Sequence, residues 1–111
     1  MDTLDKYREI IHKILQEHAA IPYAYGEINS EVIVSQDRNH YLLMCEGWNG
    51  HKRIYGCVVH VKIMNDKIWI QRDGIEEGLT KELLAAGVPK EHIVLAFHPP
   101  QVRQHTGFAI A

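Results

Sequence analysis

The sequence predicts an α+β fold. A four-stranded antiparallel β-meander carries an N-terminal helix and a later helix packed on one of its faces, and residues 1–111 form a single domain. Three observations lead there. Apolar residues recur every three or four positions in the first twenty residues, alternate from Gly26 to Gln71, and return to helical spacing after Asp73-Gly74. Two turn signals, Asn49-Gly50 and Asn65-Asp66, divide the alternating region. Hydrophobic residues at 46% and charged residues at 23% are ordinary for a globular chain and supply a core without disulfides or metals.

The first helix presents Leu4, Tyr7, Ile11, Ile14, Leu15 and His18 as one stripe, with Asp5, Arg8, Glu9, Lys13 and Glu17 mostly elsewhere. Asp2 or Thr3 can cap its start, and Pro22 stops it just after Ile21. The strands are read as `NSEVIVSQD`, `HYLLMCEGW`, `RIYGCVVHVKI` and `KIWIQ`. With two-residue loops at both turns, Glu46 faces Arg53, Ile63 faces Ile68 and Val61 faces Ile70.

Strict alternation then assigns Leu42, Met44, Trp48, Tyr55, Cys57, Val59, Val61, Ile63, Ile68 and Ile70 to the core face. The opposite face carries Ile33, Tyr41, Leu43, Cys45, Ile54, Val58 and Trp69 among His60, Lys62, Lys67 and Gln71. That is too apolar for a water-facing sheet, so it calls for a second layer or a homodimer interface. Homodimerisation through this face is the leading expectation for the oligomeric state.

Beyond Gly74, `EEGLTKELLAAG` places Leu79, Leu83 and Leu84 on one side of a helix, with Gly87 as its C-terminal cap. Pro89 can start a single helical turn, and Ile93–Phe97 reads as a short buried strand or its equivalent. Pro99 and Pro100 favour extended backbone. Phe108 and Ile110 gain nothing by staying in water, so the tail is expected in a groove of its own domain or of a twofold-related copy.

The residues offer little for catalysis. A formal net charge of −2 argues against a general nucleic-acid binder. Cys45 and Cys57 are too few and too widely spaced for a zinc motif or a CxxC pair, and inside strands they read as buried, inert thiols. The eight histidines show no HExxH pattern, and no metal site is expected. Asp73, Glu76 and Glu77 surround a helix start and read as capping groups. `MDTLDKYREIIHKILQEH` carries charges throughout, unlike a signal peptide, and a cytoplasmic setting is expected.

Basic residues do gather beside an aromatic at the first hairpin: His51, Lys52 and Arg53 next to Trp48. The candidate binding residues are Trp48, Arg53 and Tyr55 on that hairpin and His98, Arg103 and Thr106 in the tail. The competing reading makes Trp48 and Tyr55 core residues and Arg103 a surface ion.

Six blocks in order, `YREIIHKIL`, `IPYAYGEINSEVI`, `GWNGHKRIYGCVVHVKI`, `KIWIQRDGIEEG`, `GVPKEHIVLAFHPP` and `RQHTGFAIA`, resemble the XisI family nearly end to end. These are the fdxN element excision controlling factors of cyanobacteria. The resemblance implies a small non-catalytic α+β protein without cofactors. Such a protein acts with an XisH-type partner and a site-specific recombinase in excising a DNA element during heterocyst differentiation. It brings no catalytic residues to carry over, and direct DNA contact stays open. The alternative it allows is a partner or antidote that restrains a nuclease-like XisH protein, in a toxin–antitoxin manner.

Overall fold

The helix-period segment forms α1, Thr3–Ala19, in a computed structural model that describes residues 3–22 and 26–111. Its buried residues, Tyr7, Ile11, Ile14 and Leu15, are the core of the expected stripe. The proposed Asp2 cap lies outside the described residues. Backbone bonds from Ala20 to Gln16 and from Ile21 to His18 close the last turn ahead of Pro22.

Four strands follow as an antiparallel meander: β1 (Glu27–Val34), β2 (His40–Asn49), β3 (Lys52–Met64) and β4 (Lys67–Asp73). A fifth, β5 (Ile93–Leu95), pairs in parallel with β4, so the sheet has five strands in chain order rather than four. A parallel neighbour needs a long crossover, and α2 (Leu79–Ala85) with the single turn Lys90–His92 supplies it. Asp73 opens this crossover. Its carboxylate accepts the backbone N–H of Leu79 at 2.7 Å and that of Ile75 at 3.1 Å, the capping role expected of it. Gly87 closes α2 at φ 97°, with bonds from Gly87 to Leu84 and from Val88 to Leu83, the Schellman pattern.

The second hairpin has the expected register. Asn65 and Asp66 both take positive φ, and Ile63 faces Ile68 while Val61 faces Ile70. The first hairpin differs. Asn49 stays in β2 opposite Lys52, the loop is Gly50-His51, and Glu46 faces Tyr55. Glu46 still reaches Arg53, diagonally, at 3.7 Å.

A larger correction comes from one extra residue. Leu43 pairs with Val59 and Met44 with Cys57, which leaves Val58 as a β-bulge. A one-residue insertion reverses the alternation on one side of it. Val59, Val61, Ile63, Ile68 and Ile70 therefore lie in the core as expected, joined by Tyr41 and Leu43. Leu42, Met44, Trp48, Tyr55 and Cys57, assigned to the core by strict alternation, sit on the opposite face. Gly74 donates to the Val58 carbonyl at 2.7 Å, and a Cβ there would lie 2.7 Å from that same oxygen. Only glycine fits against the bulge.

Both long helices cover the same face. Tyr7, Ile11, Ile14 and Leu15 of α1 and Leu79 and Leu83 of α2 cluster with the inward residues of β2–β5. Buried Trp69 and Val94 stand outside that cluster, on the other side of the sheet.

The tail packs on its own domain. Pro99 is extended, but Pro100 is the first residue of a short helix, α3 (Pro100–Arg103), so only one of the two prolines continues the extended run. Ala109 then bridges Val94 in parallel and donates to the Ile93 carbonyl at 2.9 Å, while Phe108 packs on the core. Deleting residues 106–111 should cost about 1–2 kcal/mol for the half-buried Phe108. The thermal midpoint, followed by circular dichroism, should fall by about 5 °C or more.

Candidate functional site

Because α1 and α2 share one face, no helix lies over the other face of β1–β3 among the described residues. Direct cross-strand neighbours lie on the same side of a sheet, so the register defines this outer face row by row. From the first hairpin inward the rows are Glu27–Trp48–Arg53, Asn29–Glu46–Tyr55, Glu31–Met44–Cys57 and Ile33–Leu42–His60. Trp48 is 50% exposed, Tyr55 69% and Ile33 44%, while Leu42, Met44 and Cys57 are half-buried.

Three of the expected binding residues meet here. The Arg53 guanidinium carbon lies 5.3 Å from the Trp48 ring centroid and 5.6 Å from that of Tyr55. Its Nη2 also pairs with Glu46 at 3.7 Å. Cation–π contacts at exposed sites contribute about 0.5–1 kcal/mol each, so the three side chains hold one another in place before anything binds. Trp, Tyr and Arg are also the residue types that carry most binding energy at protein interfaces. The core reading of Trp48 and Tyr55 is thereby corrected. Lys52 and His51 stand exposed at the hairpin tip.

The tail candidates form a second cluster. Arg103 donates through Nε to the His98 carbonyl at 2.9 Å, with longer bonds to the carbonyls of Ala96 and Ile110. Its guanidinium sits 5.6 Å from the Trp69 ring centroid. Thr106 donates to the Arg103 carbonyl at 2.8 Å and accepts from the Phe108 N–H at 3.2 Å. Arg103 is therefore the clasp of the C-terminus rather than a surface ion. It covers the β4 side of the outer face and leaves β1–β3 open.

A contact not foreseen in the sequence joins His40 and His60. They lie on different strands, and the β2–β3 register makes them diagonal neighbours. Nδ1 of His40 and Nε2 of His60 are 3.0 Å apart, so one nitrogen donates a proton and the other accepts. Burial holds the His60 pKa below the usual histidine value, and His40 and Lys62 push it further the same way. Burial also pushes the Cys57 thiol up, and its Sγ–H donates to the Val59 carbonyl at 3.2 Å. Cys45 and Cys57 are half-buried rather than buried. Among the described residues, no group of three or more His, Cys, Asp or Glu is placed to hold a metal ion, and no helix is long and apolar enough to cross a membrane.

On the covered face, a cleft of about 540 Å³ opens between the end of α1 and the start of α2. Its polar lining includes Ser30, Glu76, Glu77 and Lys81, and a His18–Glu82 pair at 2.7 Å closes one side.

The class this architecture defines is an α+β protein with a meander sheet, helices on one face and the other face open. The chain belongs to the XisI family, whose family model, described as XisI protein, matches residues 1–110. Two solved structures from Anabaena variabilis ATCC 29413 are similar throughout. A XisI-like protein is 38% identical with a TM-score of 0.89, covering 98% of this chain and 100% of that one. The fdxN element excision controlling factor XisI is 35% identical with a TM-score of 0.83, covering 99% and 100%. Comparison with curated proteins returned no match.

The half-buried His60 makes stability depend on pH. The unfolded chain protonates His60 near its ordinary value of about 6.5. The folded protein resists that proton to a lower pH. Stability should thus decline as pH falls from about 6.5 through the depressed His60 value. Thermal melts from pH 7.5 to 5 should show a shallower decline for His60→Gln than for the wild type.

Proposed function

We propose that this protein is a non-catalytic controlling factor for site-specific excision of an fdxN-type DNA element. It works in the cytoplasm through protein contacts with an XisH-type partner and a site-specific recombinase. The observation that carries this reading is the end-to-end likeness to a solved protein named as an fdxN element excision controlling factor. The outer face supports it: exposed Trp48 and Tyr55 braced around Arg53 suit a protein contact. In this account Trp48, Arg53 and Tyr55 make contact, whereas His98, Arg103 and Thr106 act indirectly by holding the tail against the sheet. DNA is reached through the partners.

Co-expression of the tagged protein with an XisH-type protein should yield a stoichiometric complex by light scattering. Separate elution of the two would overturn the partner-mediated reading. Assaying the XisH-type protein for DNA cleavage with and without this chain then separates targeting from restraint.

A further inference from the structure

Apart from the Glu46–Arg53 pair beside Trp48 and Tyr55, the outer face sorts its charges by strand. The β1 edge carries Glu27 and Glu31, both exposed. The β3–β4 side carries Lys62 opposite Trp69 and Arg72 opposite His60. Between them runs an apolar band from β2 and β3, with Trp48, Met44, Leu42, Tyr55 and Cys57. Among the described residues, none of Glu27, Glu31, Lys62 and Arg72 enters an ion pair.

We propose that a second copy of this chain docks on this face about a twofold axis lying in the interface and parallel to the strands. This rests on the reading of the outer face as a protein-contact surface, but gives that face to a second copy and leaves the XisH-type partner and recombinase to other surfaces of the dimer. A twofold interface uses the same patch on both copies, so the patch must be complementary to itself.

Face-to-face packing of aligned sheets leaves two simple choices for the axis. An axis running across the strands sets each column over its own copy, acidic edge on acidic edge and basic side on basic side. An axis along the strands reverses left and right while keeping the rows. With the rows kept, Glu31 of each copy then lies one row from Arg72 of the other on the basic β3–β4 side, Glu27 stays in the hairpin-end row with Trp48 and Arg53, and the apolar bands meet between them. Only the second arrangement turns the separated charges into attraction. It also covers Trp48, Tyr55 and Ile33 together, which a monomer leaves in water.

The test is the oligomeric state of the purified chain alone, with no XisH-type protein present, so its outcome is independent of the co-expression experiment. Sedimentation should find a dimer. Reversing one side, with Glu27→Lys and Glu31→Lys, or the other, with Lys62→Glu and Arg72→Glu, should weaken dimerisation at least tenfold while each variant keeps a wild-type circular dichroism spectrum. The chain carrying all four substitutions should recover a dimer with itself, because both sides have exchanged sign. It should not form a mixed dimer with wild type in a subunit-exchange assay.

A mixed dimer of those two would overturn the along-strand axis, since it is what the other axis predicts. A wild-type monomer at 100-micromolar concentration would overturn the proposal, as would a dimer indifferent to either one-sided reversal. Loss of XisH-type binding by one-sided variants of a monomeric chain would assign the face to that partner instead.

Discussion

The Val58 bulge is the constraint on which the rest of this structure depends. A strand has only two sides, so one unpaired residue exchanges them for everything beyond it. On one side of Val58, β3 and β4 send Val59, Val61, Ile63, Ile68 and Ile70 under the helices. On the other side, Cys57 and Tyr55 turn outward and carry Met44, Leu42 and Trp48 of β2 with them. The bulge is held from within the chain: Gly74 bonds the Val58 carbonyl as β4 leaves the sheet toward α2. That bond links the register of the central strands to the start of the helix that covers them, where Asp73 organises the backbone of Ile75 and Leu79.

The two faces of the sheet consequently have different fates. The inner face is sealed by α1, α2 and the parallel strand β5, whose Ile93 and Leu95 complete the core. The outer face is divided. Its β4 side is closed by the chain's own tail, through Arg103 over Trp69 and Ala109 beside Val94. Its β1–β3 side stays apolar and open, with an aromatic–arginine cluster near the hairpin and a proton-sharing histidine pair farther along. The six residues suggested for binding thus divide into two devices. One is exposed and preorganised; the other keeps the C-terminus in place.

Family membership and this division of surfaces agree. The solved relative named an fdxN element excision controlling factor shares this fold end to end, and under the function proposed above the open face is the surface offered to a protein partner. The half-buried Cys57 adds little nucleophilic chemistry to such a role, because burial pushes its thiol pKa up.

Much of the fold was legible in the sequence because it rests on local periodicity. The α1 stripe, the four meander strands, the Asn65-Asp66 turn, the Gly87 cap and the α2 stripe are each set by neighbours within a few residues. The family blocks likewise follow from residue order alone. The bulge was not legible: Gly56 hints at an irregularity nearby, but nothing within Cys57–Ile63 marks Val58 as the unpaired residue. Its position depends on Gly74 arriving from another part of the chain, so tertiary packing alone decided which face holds Tyr41 and Leu43 and which exposes Trp48 and Tyr55. The His40–His60 contact and the Arg103–Trp69 clasp are of the same kind. Each joins residues far apart in sequence whose meeting depends on register and on the path of the tail, which no local pattern records.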